Sequence, residues 1–147
     1  MTNAFVLDAS VAAKWFLSAR HETLTAEATG VLQSFSRDEI KLLVPDLFWP
    51  EIGNVFWKAI KIGRMTRRSA EEAVATLREA SLPTAPCLPI LPEAFAISNT
   101  FDITVYDALY VGLAVARNHL LLTADERLVN SLRDYFPVLW LGSAHLM

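Results

Sequence analysis

Short apolar runs alternate along this chain with longer stretches in which apolar residues recur every three or four positions. Ala4-Phe5-Val6-Leu7 is closed by Asp8, and Val11, Trp15 and Phe16 follow at helical spacing, which predicts a buried strand feeding a helix. From His21 to Ser36, Leu24, Ala28, Val31, Leu32 and Phe35 line one face at a 3.6-residue period and predict a second helix. Leu42-Leu43-Val44 reads as another strand, ended by Pro45, with Asp46 placed to cap the helix that carries Leu47, Ile52, Val55, Phe56 and Ile60 and stops near Gly63. Thr66, with Ser69 and Glu72, opens a further helix supported by Ala73, Val74, Leu77 and Ala80.

Prolines at 83, 86, 89 and 92 remove amide donors, so a strand over Leu88 to Leu91 is expected at a sheet edge. A short helix from Glu93 to Asn99 and a strongly apolar one from Val105 to Ala116 follow, the latter expected to be buried nearly all round. Leu120-Leu121-Leu122 is a strand, Asp125 to Tyr135 a helix, and Val138 to Leu141 a last strand. Strands that are apolar throughout and separated by helices imply a parallel sheet covered on both faces. The expected fold is therefore α/β, a three-layer sandwich, in a single domain over residues 1–147 with no internal repeat or linker. In such sheets ligands bind beyond the carboxyl ends of the strands, so chemistry is sought where strands end.

Composition narrows the class further. With 53% hydrophobic residues, 20% charged and a net charge of -3, the chain is excluded from disordered and collagen-like classes. Its longest apolar stretch, Ala108 to Ala116, is far shorter than the roughly 20 residues a membrane helix needs, so no membrane association is expected. Cys87 is the single cysteine, which rules out an internal disulfide and a thiolate metal site. With Asp8 and Lys14 interrupting any apolar leader, a reducing cytoplasm is the expected location.

Candidate chemistry lies in four carboxylates. Asp8 follows the first strand directly, and Asp125 lies three residues beyond the Leu120 to Leu122 strand. Asp107 falls in the first turn of the most apolar helix, where Thr104 can serve as the cap and where an unpaired carboxylate in apolar surroundings calls for a cationic partner. Glu51 sits one turn into its helix between Trp49 and Phe56. Each alone has an ordinary explanation, because Asp and Glu favour the first turn of a helix. Together, converging acids raise one another's pKa unless a cation compensates them. Oxygen-only donors suit Mg²⁺ or Mn²⁺, and His21, His119 and His145 show no metal-ligand spacing and are expected at the surface. A carboxylate-held cation that retains water fits phosphodiester hydrolysis.

At this point the chain resembles the PIN-domain ribonucleases, and among them the VapC toxins of prokaryotic toxin–antitoxin pairs. The resemblance is carried by Phe5-Val6-Leu7-Asp8-Ala9-Ser10-Val11-Ala12-Ala13-Lys14-Trp15-Phe16, Glu51-Ile52-Gly53-Asn54-Val55, Thr104-Val105-Tyr106-Asp107-Ala108-Leu109-Tyr110 and Leu122-Thr123-Ala124-Asp125-Glu126-Arg127-Leu128, in the family's order. It implies a central parallel sheet of five strands and a Mg²⁺- or Mn²⁺-dependent endoribonuclease centre at Asp8, Glu51, Asp107 and Asp125. Ser10 and Thr123 match auxiliary hydroxyl positions that orient carboxylates or water. The resemblance further implies an RNA substrate, a homodimer and a VapB-like antitoxin whose C-terminal segment covers the active-site groove.

Lys58, Lys61, Arg64, Arg67 and Arg68 form a basic strip that could steer RNA, although lysines near a helix C-terminus are also favourable without any ligand. Setting the four acids aside leaves the remaining chain at +1, which does not repel RNA. Phe48, Trp49, Phe56 and Trp57 cannot all be hidden by one helix face, so some of them should meet a partner. Lys14 is placed either to neutralise Asp8 or at the surface, and Gly53 within a helix suggests a close contact or a functional reason. A dehalogenase-like phosphatase needs a second aspartate where Ser10 stands, a receiver domain needs an acidic pair and a Lys-Pro absent here, and no Gly-rich nucleotide loop exists. The remaining alternative is a PIN-like module that binds RNA or protein without catalysis or toxin role.

Overall fold

In the computed structural model, which describes residues 3–144, every predicted apolar run but one becomes a strand. The elements in chain order are β1 (Asn3–Leu7), α1 (Ala9–Ala13), α2 (Thr25–Ser36), β2 (Ile40–Pro45), α3 (Phe48–Lys61), α4 (Arg67–Glu79), β3 (Thr84–Ala85), α5 (Leu91–Phe101), α6 (Val105–Arg117), β4 (Leu120–Thr123), α7 (Glu126–Leu132) and β5 (Val138–Trp140). All strand pairs are parallel, with Val6 beside Leu43, Leu7 beside Leu122, Pro45 beside Ala85 and Leu122 beside Leu139. The sheet order is β3-β2-β1-β4-β5, so the chain starts in the middle, winds outward on one side and returns to build the other.

Alternate residues of the central strands feed two cores. Phe5, Leu7, Leu42, Val44 and Leu122 pack on α1 to α4 with Val11, Val31, Ile52, Phe56 and Leu77. Val6, Leu43 and Leu121 turn the other way, onto Tyr110, Val111, Leu113 and Leu132 of α6 and α7. Both faces are therefore apolar, which is why these strands read as continuous runs rather than alternating ones. Each buried Leu, Phe or Val contributes about 1.5–3 kcal/mol by leaving water. The result is the expected α/β/α sandwich around a five-stranded parallel sheet.

Local signals placed several helix ends. Thr66 caps α4 by accepting from the Ser69 N–H, Thr104 caps α6 by accepting from the Asp107 N–H, and Asp125 caps α7 by accepting from the Leu128 N–H. Gly63, at φ 77°, takes the left-handed position just past α3 that suits glycine. Elsewhere the structure differs from the sequence reading. The edge strand is Thr84–Ala85, and Leu88–Ile90 is instead a 3₁₀ turn leading into α5. Pro89 and Pro92 fall in the first turns of these helices, where the fixed φ of proline fits and its missing N–H costs nothing. Asp46 does not cap α3; Leu47 occupies that position, and the Asp46 carboxylate accepts from the Cys87 N–H at 3.2 Å. The second helix starts at Thr25 rather than His21, because Leu24 is left-handed at φ 57° and the Lys14 ammonium holds Glu22 and the Thr23 carbonyl.

A Cβ built on Gly53 meets nothing within 4 Å, so close packing is not the reason for that glycine. His21 is exposed, His119 is half-buried with Nδ1 enclosed and unpartnered, and His145 lies outside the described residues. Among the described residues no helix is long and apolar enough to cross a membrane.

Candidate active site

β1 is the hinge of the topology. The connection after β1 leads to β2 on one side, whereas β4 and β5 fill the other, so the crevice beyond the carboxyl ends of β1 and β4 is a switch point of the kind that binds ligands. Asp8 follows β1 and Asp125 follows β4, which places both at this crevice. α3 leaves the same end of the sheet after β2 and brings Glu51 in its first turn. α6 runs back toward the start of β4, so its own first turn, with Asp107, returns to that end as well. Four residues scattered over 117 positions of sequence are thus collected by connectivity alone.

Asp8 is held by two hydroxyls. Ser10 Oγ donates to Asp8 Oδ2 at 2.8 Å and Thr123 Oγ1 donates to the same oxygen at 2.7 Å. Both hydroxyls are themselves oriented from β4 onward, because the Ala124 N–H donates to Ser10 Oγ and the Asp125 N–H to Thr123 Oγ1, each at 3.1 Å. Oδ2 is thereby occupied, and Oδ1 carries no side-chain hydrogen bond among the described residues. Ser10 and Thr123, expected as auxiliary hydroxyls, both bond the Asp8 carboxylate.

Glu51 is half-buried, and its Oε1 accepts a 2.6 Å hydrogen bond from the Tyr110 hydroxyl. Tyr110 did not figure among the sequence candidates. The available signal was a tyrosine three residues after Asp107 in the most apolar helix, because a buried phenol needs a polar partner. Asp107 is half-buried, and its backbone N–H donates to the Thr104 cap at 3.1 Å. No lysine or arginine among the described residues pairs with Asp107, so the expected cationic partner is not supplied by a side chain. Asp125 is the most open of the four. With Asp107 it lines a shallow cavity that also includes Thr104, Arg127 and Ser131.

Electrostatics mark the cluster as under-compensated. Burial pushes the Asp8 carboxyl above the usual range, against the lowering effect of the Thr123 and Ser10 hydrogen bonds, and the Asp125 charge adds to the rise. Glu51 is raised by burial and by the charges of Asp8 and Asp107, with the Tyr110 bond opposing. Asp107 is raised by burial and by Asp8 and Asp125. Burial and the neighbouring carboxylates keep the Tyr110 phenol protonated, hence a donor. Such a site suits a hard divalent cation, which takes oxygen ligands and supplies the missing positive charge. Among the described residues no three acids stand close enough to form a ready-made ligand cluster. The carboxylates of Asp8, Glu51, Asp107 and Asp125 would be the oxygen donors toward such an ion.

The other sequence candidates lie away from this crevice. Lys14 turns from Asp8 to Glu22, at 3.1 Å. Lys58, Lys61, Arg64, Arg67 and Arg68 are all exposed, and Lys61 stands ten residues along α3 from Glu51, about 15 Å of helix. Arg67 and Arg68 pair with Glu71 and Glu72 at 2.7 and 3.3 Å, which reduces the free charge of the strip. Phe48 and Phe56 are core residues, whereas Trp57 is 54% exposed with the Lys61 ammonium 5.5 Å from its ring centre. Trp57, Phe56, Ile60 and Val74 line an apolar groove between α3 and α4.

Comparison with known proteins shows the family and the fold. The sequence pattern of the PIN domain matches residues 5–131. Ribonuclease VapC3 of Pyrobaculum aerophilum is 29% identical over 136 residues, spanning 91% of this chain and 95% of that protein. Among solved structures, PAE2754 from Pyrobaculum aerophilum superposes with a TM-score of 0.66 at 23% identity, covering 88% of this chain and 79% of that one. VapC20 of Mycobacterium tuberculosis, described as a sarcin-ricin loop cleaving toxin, superposes with a TM-score of 0.63 at 12% identity, covering 90% and 95%. At these identities the structural likeness speaks for the fold.

Proposed function

The chain belongs to the PIN domain family, and on that premise we propose that it is an endoribonuclease, the toxin of a VapBC-type toxin–antitoxin pair, working with Mg²⁺ or, in its place, Mn²⁺. What supports this is that Asp8, Glu51, Asp107 and Asp125 lie at one end of the sheet, where burial and one another's charges raise the first three. The likeness to Ribonuclease VapC3 over 91% of the chain supports RNA as substrate and the toxin role.

Asp8, Asp107 and Asp125, with Glu51, would hold the cation. When bound, it supplies a water nucleophile at neutral pH and neutralises charge building on the phosphate. The Ser10 and Thr123 hydroxyls fix Asp8 through Oδ2. Glu51, with Oε2 free of hydrogen bonds among the described residues, would serve as a base toward water. The exposed Lys58, Lys61 and Arg64 supply positive potential along which the RNA backbone can approach. The apolar groove between α3 and α4, with exposed Trp57 at its wall, suits the antitoxin's covering segment, and a homodimer is the assembly proposed.

The test is cleavage of a cellular RNA pool by purified protein with Mg²⁺ or Mn²⁺, beside EDTA and Asp107→Asn controls. Metal-dependent cleavage that vanishes in the variant supports the nuclease. Cleavage retained by a folded Asp107→Asn protein overturns this site, and a folded wild type that binds RNA without cutting it reduces the chain to a binding module. Growth arrest on expression, relieved by a neighbouring small gene product, tests the toxin role.

A further inference from the structure

Tyr110 is among the largest fully buried side chains, 1% exposed, yet it carries a polar hydroxyl into the interior. That hydroxyl donates to Glu51 Oε1 at 2.6 Å, joining α6 to α3 across 59 positions of sequence. A phenylalanine would fill the same volume without a polar atom to satisfy, so the oxygen matters through what it touches. What it touches is a carboxylate under repulsion, because Glu51 faces the like charges of Asp8 and Asp107. A half-exposed glutamate in that position, left to itself, gains by swinging into solvent away from both. The Tyr110 bond opposes that movement from a rigid base, since Tyr110 sits in the middle of α6 with Val111, Leu113 and Ala114 packed around it in the same core.

We propose that Tyr110 is a positioning residue for the nuclease site, its buried hydroxyl holding Glu51 by Oε1 inside the acidic crevice so that Oε2 is the oxygen offered to cation or water. Asp107 and Tyr110 leave α6 one turn apart, so a single helix sets one acid directly and a second acid through the phenol. This role rests on the nuclease reading of the site.

A double-mutant cycle tests it with four proteins: wild type, Tyr110→Phe, Glu51→Gln and the pair combined. Mn²⁺ affinity by electron paramagnetic resonance is measured for all four, with thermal unfolding, and RNA cleavage for the first two. Tyr110→Phe is expected to lower cleavage about tenfold and weaken Mn²⁺ binding about three- to tenfold, as loss of one charge-assisted hydrogen bond allows. Its melting temperature stays near that of wild type. In the Glu51→Gln background the same change should alter Mn²⁺ affinity by less than about twofold, because the group it acts through is already lost. An equal loss of affinity in both backgrounds, no loss in either, or failure of Tyr110→Phe to fold in both backgrounds overturns the proposal. A wild type that neither binds Mn²⁺ nor cleaves RNA fails earlier, and removes the nuclease reading together with this role.

Discussion

Thr123, the last residue of β4, donates a 2.7 Å hydrogen bond to Oδ2 of Asp8, the first residue beyond β1, across the switch point of the sheet. Thr123 is fully buried, so its hydroxyl has no water to fall back on, and it also accepts the Asp125 N–H. One side chain thus joins the carboxylate of Asp8 to the backbone of Asp125. Thr123→Val should cost about 1–3 kcal/mol of stability by stranding these groups, and lower cleavage by one to two orders of magnitude, whereas Thr123→Ser should retain most of both. Thermal unfolding and initial cleavage rates of the two variants check this; a Val variant as active as wild type would separate Thr123 from the chemistry.

The raised carboxyls make the site a source of instability when no cation is present. Asp8, Glu51 and Asp107 have folded-state pKa values above their ordinary ones, so the folded protein takes up protons more readily than the unfolded chain. Their contribution to stability is full below the ordinary carboxylate range and is lost as pH rises through the raised folded values. Asp8→Asn removes the buried charge while Oδ1 of the amide can still accept from Ser10 and Thr123. Metal-free Asp8→Asn should melt about 2–4 °C above wild type at pH 7, with the gap narrowing as pH falls toward 4. Saturating Mn²⁺ should stabilise the wild type more than the variant. Calorimetry across pH reads both effects, and a variant less stable at pH 7 would contradict the assigned direction.

In the basic strip Arg67 and Arg68 are in salt bridges, whereas Lys58 and Lys61 are in none among the described residues. Lys58→Ala and Lys61→Ala should each weaken RNA binding across sequences and reduce the slope of log affinity against log salt by about 0.7–1. Arg67→Ala and Arg68→Ala should do less, because Glu71 and Glu72 already occupy those guanidinium groups. Anisotropy titrations of labelled RNA on catalytically silenced Asp107→Asn protein at several salt concentrations discriminate the pairs. Equal effects at all four positions would mean that the Arg–Glu pairs open on binding.

Gly53 offers a stability test independent of chemistry. It lies inside α3 with open space where a Cβ would point. Gly53→Ala should therefore stabilise the protein by about 0.5–1 kcal/mol through helix propensity, seen as a melting temperature higher by a few degrees. The added methyl enters the wall of the α3–α4 groove, which Gly53 lines, so tighter or weaker antitoxin binding by the same variant reports whether that groove is used.

Local features were legible from the chain because their physics is local. Phe5-Val6-Leu7 and Leu121-Leu122 read as buried strands since both of their faces are covered, and Thr66 and Thr104 read as caps because a cap bonds within three residues of itself. The proline-rich stretch misled for the same reason: Pro89 and Pro92 suit an edge strand or a helix start equally, and only the packing of α5 on α6 selects the helix.

The acids of the candidate site were legible as residue types at strand ends and first helical turns, Asp8, Glu51, Asp107 and Asp125 alike. The sequence by itself determined the fold class and the supply of oxygen donors, since periodicity and side-chain chemistry are written residue by residue. Tertiary structure alone decided that Asp8 is bonded through Oδ2, that Lys14 serves Glu22 rather than Asp8, and that Tyr110 holds Glu51. Those outcomes depend on bonds spanning 59 positions between Glu51 and Tyr110 and 115 between Asp8 and Thr123, and on the burial that raises three of the carboxyls. Neither quantity exists until the sheet has brought distant segments together and closed water out between them.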